Sequence, residues 1–215
     1  MNSGKFTIRS LALLTIYPFL TVSAFAYDET WYKADFWAGE YPHGFTLEQN
    51  VTTLIRAEPD PQASRTITCS MKKGATYHPW NRERVASSKL EFISYVPKEF
   101  FIIKKPGTFT LRNEKTDTDE KIRFSIGDEW EYLTYYAEGL FKIAYKGTAY
   151  TADQDLIEAS QEKDTKVSTK VRLVDEWMKL TCANGTSGWL LLGDVLGKPP
   201  YGSPNFINFG VTKDR

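Results

Sequence analysis

Two tryptophan-led hairpin patterns constrain the fold of this chain more than any other sequence feature. Residues 175–192 consist of an aromatic-led run, the turn cluster Asn-Gly-Thr-Ser-Gly and a second run that begins Gly-Trp. Glycine and asparagine tolerate the positive φ of tight hairpin turns, so this pattern is typical of two antiparallel strands. The opening Asp-Glu-Trp recurs at residues 128–130, and a glycine and a second aromatic-aliphatic run follow it at 138–143. A repeated strand-turn-strand unit favours an all-β protein.

Short segments of alternating character occupy most of the remaining chain. Residues 45–97 contain three or four such segments, and residues 98–151 contain further ones at short, regular spacing. Period-two alternation between turn clusters predicts strands with one buried and one wet face. The best helix candidate, residues 153–162, has one apolar pair and predicts a turn or two at most. We therefore expect an all-β fold of small barrel units, packed with an N-terminal β region at 27–97 and containing little helix.

The N-terminus has the layout of a secretory signal peptide. In residues 1–26, Lys5 and Arg9 precede an apolar stretch, and a small-x-small triplet follows at 24–26. A buried N-terminal helix is the alternative interpretation. No later stretch approaches the roughly 20 apolar residues of a membrane span. We expect a soluble, exported mature chain with no transmembrane segment after cleavage, located in the periplasm or secreted.

Charge and cysteine content limit the partners of the mature chain. The full sequence has 27 basic and 27 acidic residues. Cleavage of the signal peptide would remove Lys5 and Arg9, which leaves a slight excess of acidic residues. Binding to nucleic acid needs a concentrated basic surface, so a slightly acidic chain predicts no nucleic-acid partner. Both cysteines, Cys69 and Cys182, lie in the mature part. An even count in an exported chain favours a disulfide between them.

Few residues offer catalytic or metal chemistry. His43, His78 and the two cysteines have no zinc-ligand spacing, and no nucleophile-elbow, dinucleotide-binding or phosphate-loop motif occurs. The sequence therefore predicts no metal site and no cofactor. Two catalytic alternatives remain open. Asp128 and Glu131 are candidates for the acid and base of glycan hydrolysis, and Cys69 with His78 is a candidate thiolate pair.

Tyrosines near the first tryptophan-led run are the candidate ligand-binding residues. Strand alternation places Tyr132 and Tyr136 on the same face as Trp130, which we expect to be inward. Tyr135 then points outward beside Glu131. Amphipathic aromatic side chains beside a carboxylate suit contact with a peptide or a sugar. The alternative is that these tyrosines only pack against neighbouring segments.

The pattern Trp-x-x-Leu, glycine turn, Gly-Trp-Leu and a closing Leu resembles the C-terminal half of a bacterial SH3-like domain. The matching residues are Trp177, Leu180, Asn184, Gly185, Gly188, Trp189, Leu190 and Leu196. Residues 98–160 resemble a full-length domain of this kind, with Trp130, Phe141, Tyr150 and Leu156 at matching positions. The second match, within 161–215, is too short for a five-stranded barrel. It needs strands from 45–97, or the repeat belongs to one larger sheet.

The resemblance implies a binding module of the cell envelope, whose ligand is a peptidoglycan peptide or another envelope protein. It implies no catalytic residues. An immunoglobulin-type sandwich is the structural alternative, but its cysteines are much closer in sequence than Cys69 and Cys182. The leading hypothesis is an exported envelope binding or assembly protein. The second hypothesis is a small envelope hydrolase that uses Asp128 and Glu131, or Cys69 and His78.

Overall fold

The structure, a computed structural model, describes residues 27–79, 90–163, 173–204, 206–207 and 211–212. The signal peptide expected at 1–26 lies outside the described residues. The first strands are β1 (Trp31–Ala34), β2 (Phe45–Leu47), β3 (Val51–Arg56), β4 (Arg65–Met71), β5 (Thr76–Tyr77) and β6 (Glu91–Pro97).

The middle of the chain contains most of the remaining strands. They are β7 (Glu99–Ile103), β8 (Gly107–Asn113), β9 (Thr118–Phe124), β10 (Glu129–Ala137), β11 (Leu140–Tyr145), β12 (Thr148–Asp153) and, after helix α1 (Gln154–Glu158), β13 (Ser160–Glu162). The last part contains β14 (Asp175–Thr181), β15 (Ser187–Leu191), a 3₁₀ turn (Leu192–Asp194), β16 (Tyr201–Gly202), β17 (Phe206–Ile207) and β18 (Val211–Thr212).

The strands form three antiparallel sheets and a separate two-stranded ladder. A seven-stranded sheet has the order β13-β7-β10-β11-β12-β8-β9, and we call residues 98–163 the central unit. A six-stranded sheet, β1-β6-β14-β15-β3-β4, and a three-stranded sheet, β16-β2-β5, form what we call the flanking unit. The prediction of an all-β fold with little helix is confirmed. Neither large sheet closes into a barrel within the described residues, because its first and last strands are not paired with each other.

Tight turns set the register of the central sheet. Strands β10 and β11 are joined through Glu138 and Gly139, and strands β11 and β12 through Lys146 and Gly147. All four turn residues have positive φ, between 39° and 80°. Two-residue turns with positive φ twist in the same sense as the strands that they join, so they hold adjacent strands in antiparallel register. The glycine that follows each polar residue makes this conformation accessible.

The core of the central unit lies on one face of its sheet. Trp130 is 2 % exposed, stacks on Phe101 at a centroid distance of 4.7 Å and donates from Nε1 to Ser160 Oγ at 3.0 Å. The prediction that Trp130 is a core residue is therefore confirmed. Its buried neighbours are Ile103, Leu111, Phe124, Ile143, Tyr145, Tyr150, Ala152 and Leu156.

A disulfide joins two strands of the flanking unit that are distant in its strand order. Cys69 in β4 bonds to Cys182 directly after β14, and their Cα atoms are 5.2 Å apart. Strands β15 and β3 lie between them in the sheet, so a flat sheet would separate the two cysteines by about 14 Å. The six-stranded sheet therefore curls strongly around its core. The predicted disulfide is confirmed, and it indicates an oxidising, extracytoplasmic compartment.

Trp177 is buried on the face of β14 opposite to the main core of the flanking unit. Met178 and Leu180 belong to that core, whereas Trp177 is covered by Tyr27 and Arg56. Its Nε1 donates to Tyr27 Oη at 2.9 Å, and the Arg56 guanidinium carbon lies 5.3 Å from the ring centroid. Trp177 is 0 % exposed.

The two units share a succession of strands, apart from β1 and β5 of the flanking unit, which have no counterpart in the central unit. In the central unit β7 is followed by the hairpin β8–β9, by three adjacent strands and a helical turn, and by β13, which pairs with β7. In the flanking unit β2 is followed by the hairpin β3–β4, by β6, β14 and β15 with a 3₁₀ turn, and by β16, which pairs with β2. The central unit is thus inserted between β6 and β14. The hairpin predicted at 175–192 is confirmed, and it does take its neighbouring strands from 45–97.

The Asp-Glu-Trp repeat does not mark equivalent strands. Trp130 lies on β10, which pairs with β7 and β11. Trp177 lies on β14, which occupies the place that β11 has in the central unit. The sequence repeat is thus displaced by one strand from the structural repeat. A charged pair before an aromatic residue is a local way to begin a strand, so it recurs without a common position in the sheet.

Candidate functional site

A β-bulge in β10 changes which tyrosines share a face. Tyr132 is opposite Ile143 and Tyr135 is opposite Phe141, but the register shifts between Tyr132 and Thr134. One extra residue in a strand reverses the alternation beyond it. Tyr135 therefore lies on the same face as Tyr132, and the expectation that Tyr135 points outward beside Glu131 is wrong.

The same two tyrosines flank one phenylalanine of the central unit. The ring centroids of Tyr132 and Tyr135 lie 5.7 and 5.6 Å from that of Phe141. Tyr132 also packs on Phe101 at 6.1 Å. These contacts fix both phenol rings at the edge of the core, with part of each side chain accessible to solvent. Both rings are thus packed against aromatic neighbours and still accessible to a ligand.

Tyr132 and Tyr135 line a cleft between the central and flanking units. The cleft has a volume of about 390 Å³, which is within the range of small-ligand sites. The central unit contributes Glu99, Tyr132, Thr134 and Tyr135. The flanking unit and the connection between the units contribute Ala38, Gly39, His43, Val96, Pro97, Val174 and Glu176.

Glu176 anchors the flanking wall of the cleft. It is 7 % exposed, and its Oε1 accepts a hydrogen bond from the Ala38 amide at 3.2 Å. Its Oε2 is hydrogen-bonded to Nδ1 of His43. This hydrogen bond raises the pKa of His43, and partial burial of the ring opposes the rise. The segment before β2 is therefore fastened to β14 at two points through one carboxylate.

The central wall is acidic and phenolic. Glu99 is the register partner of Tyr132 across β7 and β10. Burial, with Glu162 as a second contribution, raises the pKa of Glu99. Burial also raises the pKa of Tyr132 to about 12, and the Glu99 carboxylate adds to the rise. Tyr132 therefore stays protonated at neutral pH and presents a hydroxyl donor to the cleft.

Glu131 and Tyr136 lie away from this cleft. Glu131 is paired with Lys98, at 3.3 Å between Oε2 and Nζ, and alternation puts it on the face opposite to Tyr132. Tyr136 is 46 % exposed, so its predicted inward position is wrong. Its ring lies 4.0 Å from Lys142 Nζ and contacts Phe36 of the flanking unit. The structure thus brings together two of the four predicted ligand-binding residues, Tyr132 and Tyr135.

Sequence reasoning did not find His43, Glu99 or Glu176 as members of a site. Glu176 belongs to the Asp-Glu-Trp pattern, lies inside β14 and is buried. A buried acidic residue in a strand needs a partner, but the sequence does not show which residue supplies it. Only the fold brings the segment that contains His43 to β14.

The residues of the catalytic alternatives have structural partners. Cys69 is in a disulfide and 0 % exposed, so this form has no thiolate for a pair with His78. His78 is buried, and its Nε2 donates to the Pro42 carbonyl at 3.1 Å. Asp128 Oδ2 accepts from the Ser125 amide at 2.8 Å and from Tyr145 Oη at 3.4 Å. These contacts hold a turn rather than position a general acid.

Comparisons with protein-family models, with curated proteins and with solved structures find no match to this chain. In the part of the chain that the structure describes, no helix is both long and apolar enough to cross a membrane. Within the same residues, no group of three or more His, Cys, Asp or Glu side chains is arranged to hold a metal ion. Function is therefore inferred from the side chains and geometry of the cleft.

Proposed function

We propose that this chain is an exported cell-envelope binding or assembly protein built from two SH3-like units. Its ligand is a peptidoglycan peptide or another envelope protein. The periplasm or the cell exterior is the location that the signal-peptide pattern of residues 1–26 and the disulfide both favour.

The common strand succession of the two units supports the SH3-like assignment. Apart from β1 and β5 of the flanking unit, each unit has a strand, a long hairpin, three adjacent strands, a short helical turn and a last strand that pairs with the strand before the hairpin. Residues of the resemblance lie on adjacent strands of each unit, although the sequence repeat is displaced by one strand from the structural repeat. Phe141 and Tyr150 lie on β11 and β12, and Leu180 and Trp189 lie on β14 and β15.

The cleft between the units is the observation that carries the proposal of binding. It is concave, has about 390 Å³ of space and contains two packed phenol rings and a buried carboxylate in its lining. Ligand sites combine an apolar or aromatic lining with a few placed polar groups, and this cleft has that composition. Junctions between packed units are also a frequent location of such sites.

A pulldown on purified peptidoglycan sacculi tests the proposal. We expect the mature wild-type protein to sediment with sacculi and Tyr135→Ala to lose most of this binding. Tyr136→Ala is the matched control, because Tyr136 is on the same strand but does not line the cleft. Loss of binding by Tyr136→Ala with retention by Tyr135→Ala would move the site out of the cleft.

The same material separates binding from hydrolysis. The proposal expects the turbidity of a sacculus suspension to stay constant in the presence of the protein. A fall in turbidity that Asp128→Asn or Glu131→Gln abolishes would instead assign a hydrolase. Circular dichroism of both variants then checks that their folding is unchanged.

A further inference from the structure

The cleft has a negative lining with an uncompensated carboxylate. Among the described residues that line it there is no lysine or arginine. Glu176 is paired with His43, but Glu99 has no ion-pair partner in the described part of the chain. Two carboxylates on the adjacent strand do have ion-pair partners. Glu129 is paired with Lys163 at 2.6 Å and Glu131 with Lys98 at 3.3 Å.

Elsewhere in the central unit, a tyrosine ring of β10 and a carboxylate bind a lysine together. Lys142 Nζ lies 4.0 Å from the ring centroid of Tyr136 and 2.6 Å from Glu114 Oε1. A tyrosine face and a carboxylate thus hold one ammonium group of this chain. An ammonium group in such a place gains both a cation–π contact and an ion pair.

The cleft contains the same combination without a lysine. Tyr132 and Glu99 are register partners on adjacent strands, and Tyr135 lies on the same face beside Phe141. An incoming ammonium group would meet the Glu99 carboxylate and the two phenol rings together. An anionic group would meet two carboxylates and no basic side chain other than His43, which Glu176 already engages.

The geometry points to a short peptide with a free primary amine as the ligand of this cleft, and Glu99, Tyr132 and Tyr135 bind its ammonium group. This inference rests on the proposed binding function and names the chemistry of its ligand. A volume of about 390 Å³ holds a side chain and a few peptide units, but not the face of a folded protein.

The test compares protease-treated sacculi before and after acetylation of their free amines with acetic anhydride. We expect acetylation to weaken binding of the wild-type protein on the order of tenfold, because it removes the charge that both contacts need. Glu99→Gln is expected to lose part of this factor on non-acetylated sacculi and to respond less to acetylation than the wild type, because only the tyrosine contacts then remain. Glu131→Gln is the matched control and is expected to bind like the wild type.

The outcomes separate the inference from the proposed function. Equal binding to protease-treated sacculi with and without acetylation would overturn the amine inference and leave a peptidoglycan-binding protein. Binding that protease treatment of the sacculi abolishes would assign a protein ligand and overturn the short-peptide inference. Absence of binding to any preparation would overturn both the inference and the peptidoglycan ligand. A folded Glu99→Gln variant that binds like the wild type would remove Glu99 from the site.

Discussion

Removal of the Cys69–Cys182 disulfide should lower the free energy of unfolding more than any other local change that we consider. The native contact does not depend on the bond alone, since the Ala183 amide donates to the Ser70 carbonyl at 2.6 Å. Thr186 Oγ1 likewise donates to the Thr68 carbonyl at 2.8 Å. The folded geometry should therefore persist without the bond. The loss of stability then comes mainly from the unfolded chain, which gains conformational freedom.

The magnitude follows from the length of the closed loop. The cysteines are separated by 113 positions, for which the chain-entropy relation gives about 5 kcal/mol. The loop contains the whole central unit, which has its own core. If that unit stays folded while the flanking unit unfolds, the flexible loop shortens to about 50 residues and the effect falls to about 4 kcal/mol. We therefore expect a loss of about 4–5 kcal/mol.

Guanidinium denaturation followed by tryptophan fluorescence measures this loss. The oxidised wild type is compared with Cys69→Ala/Cys182→Ala and with the reduced wild type, which keeps both buried sulfur atoms in place. Reduction isolates the effect of the cross-link, and the double variant adds the loss of buried volume. A reduced wild type that is less stable by under about 1 kcal/mol would refute the reasoning, because it would mean that the unfolded chain is already compact.

Four further substitutions have defined outcomes. Trp177→Phe removes the indole donor and should cost about 1–3 kcal/mol in a denaturation experiment, with an unchanged fold by circular dichroism. Gly188→Ala should cost a similar amount, since its new Cβ would lie 2.7 Å from a backbone carbonyl oxygen. Gly193→Ala, with no atom within 4 Å of that Cβ, should be neutral. His43 has a raised pKa through Glu176, so its stabilisation is complete below its unfolded pKa of about 6.5 and is lost as the pH rises through the folded value. The difference in unfolding free energy between wild type and His43→Gln should accordingly shrink as the pH rises above about 6.5, and a constant difference would contradict this assignment.

Local patterns determined the elements that depend on local chemistry. The alternation of residues 98–151 and the glycine turns predicted the strands of the central unit, because side-chain period and positive φ are properties of short segments. The turn cluster predicted the hairpin at 175–192. The even number of cysteines in an exported chain predicted the disulfide. The prediction of a short helical turn near residue 153 was also correct, since α1 begins at Gln154.

The site was only partly predictable. Aromatic density pointed to Tyr132 and Tyr135, and both line the cleft. The bulge between Tyr132 and Thr134 was not visible in the sequence, because strand alternation continues regularly unless a register shift is known. That single extra residue moved Tyr135 to the cleft face and left Tyr136 half exposed outside it.

By itself, the sequence determined the secondary-structure class, most strand positions and the cysteine pairing. Only the tertiary structure decided that the central unit is inserted between β6 and β14, and that the N-terminal segment delivers His43 to Glu176. Strand pairing is non-local: backbone hydrogen bonds have the same chemistry at every position, so the sequence of one strand does not name its neighbour. The cleft exists because two units with separate cores meet at a place that neither unit specifies alone.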